Sequence, residues 1–283
     1  MATVSRFERR SRLVTLLLYC GLAAGLVFAC FPIVWMFFTS LKSNTEIFAL
    51  PPRILPKVFT FEAYASIFSD TAKLRFFLNS YLVAGVVTLL TVVVALLAAY
   101  AFSRYEFRLK KPFNLLVIST QTVPPITLLI PYFGMVVAFG IFDTYYALIL
   151  TYMVFTLPYA ILLMTGYLNT LPKDLDEAVL VDGGTSWTAL WRVIVPLSVP
   201  GIVATAVYTF LLAWNEFLFA LTLTKSMDMR TVPIGISLLM GQHAFEWNEM
   251  MAMSVLGSLP LLILYLIAQR YFLVGMTAGS MKG

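Results

Sequence analysis

Of 283 residues, 60% are hydrophobic and only 12% charged, a balance that excludes a soluble enzyme and places the chain among membrane proteins. Nineteen Lys and Arg against 14 Asp and Glu leave a net charge of +5, and its distribution along the chain gives a topology signal and no nucleic-acid surface. Cys20 and Cys30 are the two cysteines and His243 the single histidine, so no disulfide framework and no metal site is expected.

Six uncharged runs follow one another: Leu13 to Leu41, Phe76 to Ser103, Pro112 to Phe142, Thr144 to Pro172, Val193 to Asn215 and Met250 to Gln269. Each is long enough for a transmembrane helix of roughly 20 residues. In hydrocarbon a backbone this apolar satisfies its hydrogen bonds most readily as helix, and the alternation of a barrel strand is absent. The expectation is an all-α integral membrane protein: a six-span bundle in one domain over residues 1–283, with spans near 13–38, 76–102, 113–138, 144–168, 196–224 and 250–270.

The first span follows Arg6, Arg9, Arg10 and Arg12 but is too long for the h-region of a signal peptide, so it reads as a retained helix. Gly21 and Gly25 suit close helix packing there. Pro124, Pro125 and Pro131 interrupt span three beside Gln121, and Pro158 is expected to break span four. Only Glu216 falls inside a span, and the fifth is read as one helix running through it from about Pro196 to Thr224. A carboxylate there is costly and faces either a cavity or another helix. Trp214 and Asn215 beside it suit a sugar, an indole stacking on C–H faces while amide and carboxylate bind hydroxyls. With both termini inside, the inner side holds twelve Lys and Arg and the outer side seven, which favours cytoplasmic termini.

The loop over residues 171–195 is the most informative stretch. Asp174, Asp176 and Glu177 follow Pro172, where a helix N-terminus favours negative charge. Gly183 and Gly184 can adopt the left-handed conformation that ends a helix, and Thr185 or Ser186 can cap a second one. That second helix carries Trp187, Leu190, Trp191 and Ile194 on one stripe, suited either to lying under the bilayer or to docking a cytosolic partner.

These residues resemble a known family. Glu177-Ala178-Val179, then Asp182-Gly183-Gly184, then Ile194, Pro196 and Pro200 are similar to the EAA loop of ATP-binding-cassette importer permeases, departing from it at Val179 and Gly184. The likeness extends to the carbohydrate-uptake, maltose-type subfamily through Phe48 to Tyr64, Gly140 to Thr144, Ala213 to Phe217 and the stretch from Gln269 to Gly283. The resemblance implies a type I importer fold with both termini cytoplasmic, in a prokaryotic cytoplasmic (inner) membrane. It implies that Glu177, Ala178, Asp182, Gly183, Gly184 and Trp187 couple to an ATPase. The intramembrane carboxylate with its neighbours and the proline breaks point to Gln121, Trp214, Asn215, Glu216 and Phe217 as a substrate pathway, and the resemblance sets the outer loop bearing His243, Glu246, Trp247 and Asn248 against a substrate-binding protein. The implied partners are a homologous second permease, two ATPase subunits, that binding protein and membrane lipid. The chain lacks a G-x-x-x-x-G-K-[ST] phosphate loop, so no cofactor is expected in it, and ATP and Mg belong to the ATPases. Two rival readings are a permease for glycerol phosphates or another small solute, and an ion-coupled secondary transporter using Glu216.

Overall fold

The computed structural model describes residues 2–241 and 246–280, with side chains described for 14–241 and 246–271. The chain divides into two compact units.

The first unit holds residues up to Ser69 together with 239–256. Helix α1 (Ala2–Ser40) is continuous through Pro32, and its side chains from Val14 to Val34 are exposed. Gly21 and Gly25, expected to allow close packing, meet nothing within 4 Å in this chain. A single turn, α2 (Asn44–Ile47), is capped by the Ser43 hydroxyl. Helix α3 (Glu62–Ser69) buries Ala63 and Ile67, and Tyr64 shares a 2.7 Å hydrogen bond with Ser40 at the end of α1.

The second unit holds residues 70–238 and those from 257 onward. Asp70 accepts from Ala72 N at 2.8 Å and so starts α4 (Thr71–Arg104), the longest helix of this unit, which ends where Tyr105 turns extended. Span three is not one helix. Helix α5 (Lys110–Thr120) gives way to a 3₁₀ turn at Pro125–Leu128 and then α6 (Leu129–Ala138), with a bend of 96° between the two halves. Consecutive prolines explain it, since Pro124 and Pro125 supply no backbone donor and restrict the residue before each.

Thr144 caps α7 (Tyr145–Leu168), which continues unbroken through Pro158, contrary to the expected break. The loop after it forms α8 (Asp174–Val181), α9 (Ser186–Ala189), a π turn at Leu190–Ile194 and α10 (Val195–Leu197). The chain then bends by 76° into α11 (Val199–Trp214). The single helix expected from Pro196 to Thr224 is therefore corrected twice: it bends at Ser198 between Pro196 and Pro200, and it stops at Trp214. A separate short helix, α12 (Leu218–Leu223), follows, then α13 (Val232–Leu238). Helix α14 (Trp247–Ser280) begins in the first unit and continues into the second. Among the described residues four helices are long and apolar enough to span a membrane, and the number is six when each of the two bent pairs is counted as one span.

The centre of this unit is α4 against α7 and α11. Small residues let the helices approach: Ala95, Ala99 and Ala160 are fully buried, and a Cβ on Gly201 would stand 2.5 Å from the Tyr167 ring. Thr91 and Thr156 bond to each other at 3.0 Å across α4 and α7.

Candidate functional site

Two sites emerge, one at the loop of residues 171–195 and one at the breaks in the spans. In the loop, all three acids of α8 occupy its first turn. Gly183 then takes φ +82 and Gly184 N bonds Val179 O at 2.8 Å, closing the elbow. Gly184 is required for a different reason: a Cβ there would lie 2.6 Å from Val179 Cγ1 and 2.9 Å from Val179 O. The Thr185 hydroxyl accepts from Thr188 N at 3.2 Å and starts α9.

The expected stripe divides in two. Leu190 and Ile194 are buried with Leu96, Ala99, Met164 and Leu168, whereas Trp187 and Trp191 stay exposed as an edge-to-face pair with centroids 5.6 Å apart. The π turn supplies the reason, because its wider winding turns part of the stripe inward. Glu177, Ala178, Val181 and Asp182 are exposed beside the elbow, so the loop presents a rigid mixed surface whose back is anchored in the core.

That anchoring is polar as well as apolar. Asp176 Oδ2 lies 2.7 Å from Arg104 Nε, with the two side chains only 14% and 6% exposed. Tyr100 donates to Asp176 Oδ1 at 2.6 Å. Arg104 Nη1 donates to the carbonyls of Leu168 and Leu171 at 3.3 Å each. Sequence reasoning missed this node, having assigned Asp176 to the helix dipole and Arg104 to the count of loop cations. The available signal was an acid one residue before Glu177 on the inward side of α8 and an aromatic-x-x-x-Arg pattern ending span two.

At the breaks, a cavity of about 220 Å³ is lined by Pro125, Tyr152, Phe155, Thr156, Leu212, Ala213, Glu216 and Phe219. A second of the same volume takes in Gln121, Tyr132, Val154 and Pro158 and shares Pro125 and Phe155 with the first. Phe155, Phe219 and Tyr132 form an aromatic wall, the first two with centroids 4.7 Å apart. Glu216 thus faces a cavity, and it also explains the break in the fifth span. Its carboxylate accepts from Phe219 N at 2.8 Å and Ala220 N at 2.9 Å, capping α12. Tyr152, buried on the same cavity, has Glu216 as the polar neighbour of its hydroxyl.

The far end of α12 is held by a second carboxylate. Asp143, at φ +60 in the turn after Gly140, accepts from Lys225 N at 2.8 Å and Ser226 N at 3.1 Å, and its own N–H donates to Leu223 O. Burial raises its pKa, but these N–H donors, the Ser226 side chain and the nearby Arg230 outweigh that and hold it below the ordinary carboxylate value.

The other residues expected on the pathway do not line these cavities. Trp214 is buried, donating to Gly257 O at 3.1 Å, stacked on Phe210 and met edge-on by Tyr81, which leaves no indole face for a sugar. Asn215 is exposed and bonds back to Leu211 O at 2.8 Å. Phe217 occupies the N-cap position just before α12. Tyr152, Thr156, Phe155 and Phe219 were not picked out from sequence; a tyrosine at mid-span, away from the interfacial belt, was the one available pointer. In the first unit, Glu246 accepts from Asn44 Nδ2 at 2.9 Å, Asn248 accepts from Glu249 N at 3.0 Å and Trp247 is half-buried. His243 lies outside the described residues.

A helical membrane bundle with an exposed, glycine-hinged loop and a bent pair of spans around a cavity defines a transport permease. Residues 91–277 match the family described as binding-protein-dependent transport system inner membrane component, and the chain belongs to that family. It is 38% identical over 258 residues to the sulfoquinovosyl glycerol transport system permease protein SmoH of Agrobacterium fabrum, covering 91% of this chain and 90% of that one. It is 37% identical over 278 residues to the trehalose/maltose transport system permease protein MalG of Thermococcus litoralis, covering 97% and 99%. A bacterial ABC transporter that imports the acidic polysaccharide alginate contains a chain of similar fold, with a TM-score of 0.82 at 20% identity over 93% of this chain and 98% of that one.

Proposed function

We propose that the chain is one of two permease subunits of an ATP-driven importer for a carbohydrate (sugar, oligosaccharide or polyol), lying in a prokaryotic cytoplasmic membrane with both termini in the cytoplasm. Its 283 residues act as a single permease domain. A substrate-binding protein delivers the solute to the outer face through Glu246, Trp247, Asn248 and His243, and two ATPase subunits carrying ATP and Mg dock on the loop of this chain and on that of its homologous partner. The exposed elbow of residues 177–187, fixed to the bundle from behind, is the observation that carries the reading. Chemistry is confined to the ATPases; this chain binds, moves and releases. ATP-driven closure shifts the loop as a lever and turns the cavity between the two faces, an equilibrium biased by ligands.

Three further features support a carbohydrate that carries no phosphate. The relatives carry sugar-containing solutes by name. Aromatic rings wall the cavities. Neither cavity is lined by Lys or Arg, which argues against a phosphorylated solute. Both Glu216 oxygens accept backbone N–H groups, which argues against an ion site.

In proteoliposomes holding the co-expressed subunits and binding protein, internal ATP should drive uptake of the binding protein's own ligand, and an imposed proton or sodium gradient should not. Gradient-driven uptake by this chain alone would refute the reading. Cysteines at Arg108 and Lys173 should be labelled from the cytoplasm and one at Glu246 from outside; external labelling of Lys173 would reverse the orientation.

A further inference from the structure

We infer that the Arg104–Asp176–Tyr100 node is the joint that makes α4 and α8 move as one body, so that displacement of the docking loop is delivered directly to the second span. The inference rests on the coupling-loop reading above, and it assigns positioning roles to three residues that the EAA resemblance does not include.

The observations converge on one carboxylate. Asp176 is the only acid of the α8 first turn that faces inward: Asp174 and Glu177 are exposed, while Asp176 forms an ion pair through Oδ2, 2.7 Å from Arg104 Nε, and accepts a hydrogen bond from the Tyr100 hydroxyl at Oδ1, 2.6 Å away. The two anchoring residues are four apart on α4, which puts them one above the other on the same helix face. Arg104 extends the tie to the C-terminal carbonyls around α7 through Leu168 and Leu171, and Tyr100 extends it to the second loop helix through Ser186 O at 3.3 Å. One guanidinium, one carboxylate and one phenol therefore tie α4, the end of α7, α8 and the start of α9.

The apolar contacts around the node follow the same direction. Leu175 on α8 packs on the cluster of Leu96, Ala99, Tyr100, Leu190 and Ile194. Apolar packing alone resists separation but permits sliding, because it has no directional preference. A buried ion pair with two further directional bonds opposes sliding, since any rotation of α8 about its axis would leave a nearly dry charge without its partner. A dipole role for Asp176 requires none of this: Asp174 and Glu177 already place negative charge at that terminus. A lever needs a stiff attachment to the element it moves, and this node is where the exposed surface becomes rigidly part of the bundle.

The test uses the assembled complex with its binding protein, spin labels on cysteines at Leu97 in α4 and Asp174 in α8, and double electron–electron resonance in the nucleotide-free and ATP–vanadate-trapped states. The wild-type distance should be narrow and identical in both states. Asp176→Asn should make it broad and state-dependent, Tyr100→Phe should do so less, and the exchanged pair Arg104→Asp/Asp176→Arg should restore part of the wild-type behaviour. In parallel, ATP hydrolysed per molecule of the binding protein's ligand taken up should rise on the order of tenfold in Asp176→Asn; a variant that merely lowers the amount of folded complex would scale hydrolysis and uptake together and leave the ratio unchanged. A wild-type distance that shifts between states, or an Asp176→Asn complex that keeps a single locked distance and a normal ratio, overturns the inference alone. Failure of the wild-type complex to trap nucleotide overturns the coupling-loop reading and the inference with it.

Discussion

The loop node and the span-break cavity use the same chemical groups in opposite ways. At the node Asp176, Arg104 and Tyr100 are nearly dry and bonded to one another. At the cavity Glu216 is turned onto backbone N–H groups, and the buried Tyr152 hydroxyl beside it is tied to no other helix. The first arrangement fixes geometry. The second leaves polar capacity open at a place lined by aromatic rings, as a transient ligand requires. A permease needs both, a stiff attachment where force enters and an uncommitted surface where the solute passes.

The largest expected effect comes from removing the elbow. Proline fixes φ near −65° and cannot occupy the +82° position of Gly183, so Gly183→Pro should abolish ATP-driven uptake while α4, α7 and α11 still pack. Subunit accumulation with no uptake by the reconstituted complex is the expected pair of observations; normal uptake would show that the elbow conformation is dispensable.

Next, Asp176→Ala should destabilise the complex by about 3–5 kcal/mol, the range for stranding one partner of a buried pair, and lower its melting temperature. Glu216→Ala, which removes a cap from a short helix, should cost about 1–2 kcal/mol. Equal losses from the two would erase the proposed difference between them.

The same contrast separates two tyrosines. Tyr100→Phe removes a hydrogen bond to a carboxylate and should cost about 1.5–3 kcal/mol, whereas Tyr152→Phe removes a hydroxyl whose neighbour Glu216 is already held by two backbone N–H groups and should change melting less. If that hydroxyl serves the solute, Tyr152→Phe should still slow uptake. Unchanged uptake with unchanged melting would remove Tyr152 from the pathway.

What the sequence revealed and what it concealed follow from the same physics. The double proline before α6, the α8 acids and the glycine elbow are local patterns, and each produced the local structure expected of it, whereas the third and fifth apolar runs bent or broke. The end of α11 at Trp214 was concealed because a continuous apolar run with one Glu gives no indication that the Glu will fold back onto Phe219 and Ala220. Trp214 looked like a sugar platform because its neighbours in sequence are polar, but its neighbours in space are Phe210 and Tyr81. The node joins residues 72 positions apart, beyond the reach of any spacing rule. Pro158 stayed within a helix because lateral packing along α7 outweighs one absent donor.

The smallest expected effect concerns Asp143, which holds the chain after α12 much as Glu216 holds its start. Its pKa is depressed in the fold, so the stability it contributes is fully present above the unfolded carboxylate pKa, about 3.9, and is lost as pH falls through the lower folded value. Asn tolerates the left-handed backbone at this position and keeps one acceptor oxygen, so Asp143→Asn isolates the charge from the conformation. At neutral pH the variant should melt below wild type by the equivalent of about 1 kcal/mol, the difference between a hydrogen bond to a charged acceptor and one to a neutral acceptor. The difference should hold down to about pH 5 and close as the solution is acidified below the carboxylate range, because wild type then carries a neutral side chain as well. Scanning both proteins side by side cancels the titration of the other acids. A gap that persisted or widened in acid would mean that Asp143 acts through shape alone, and the likeness between the two ends of α12 would then fail.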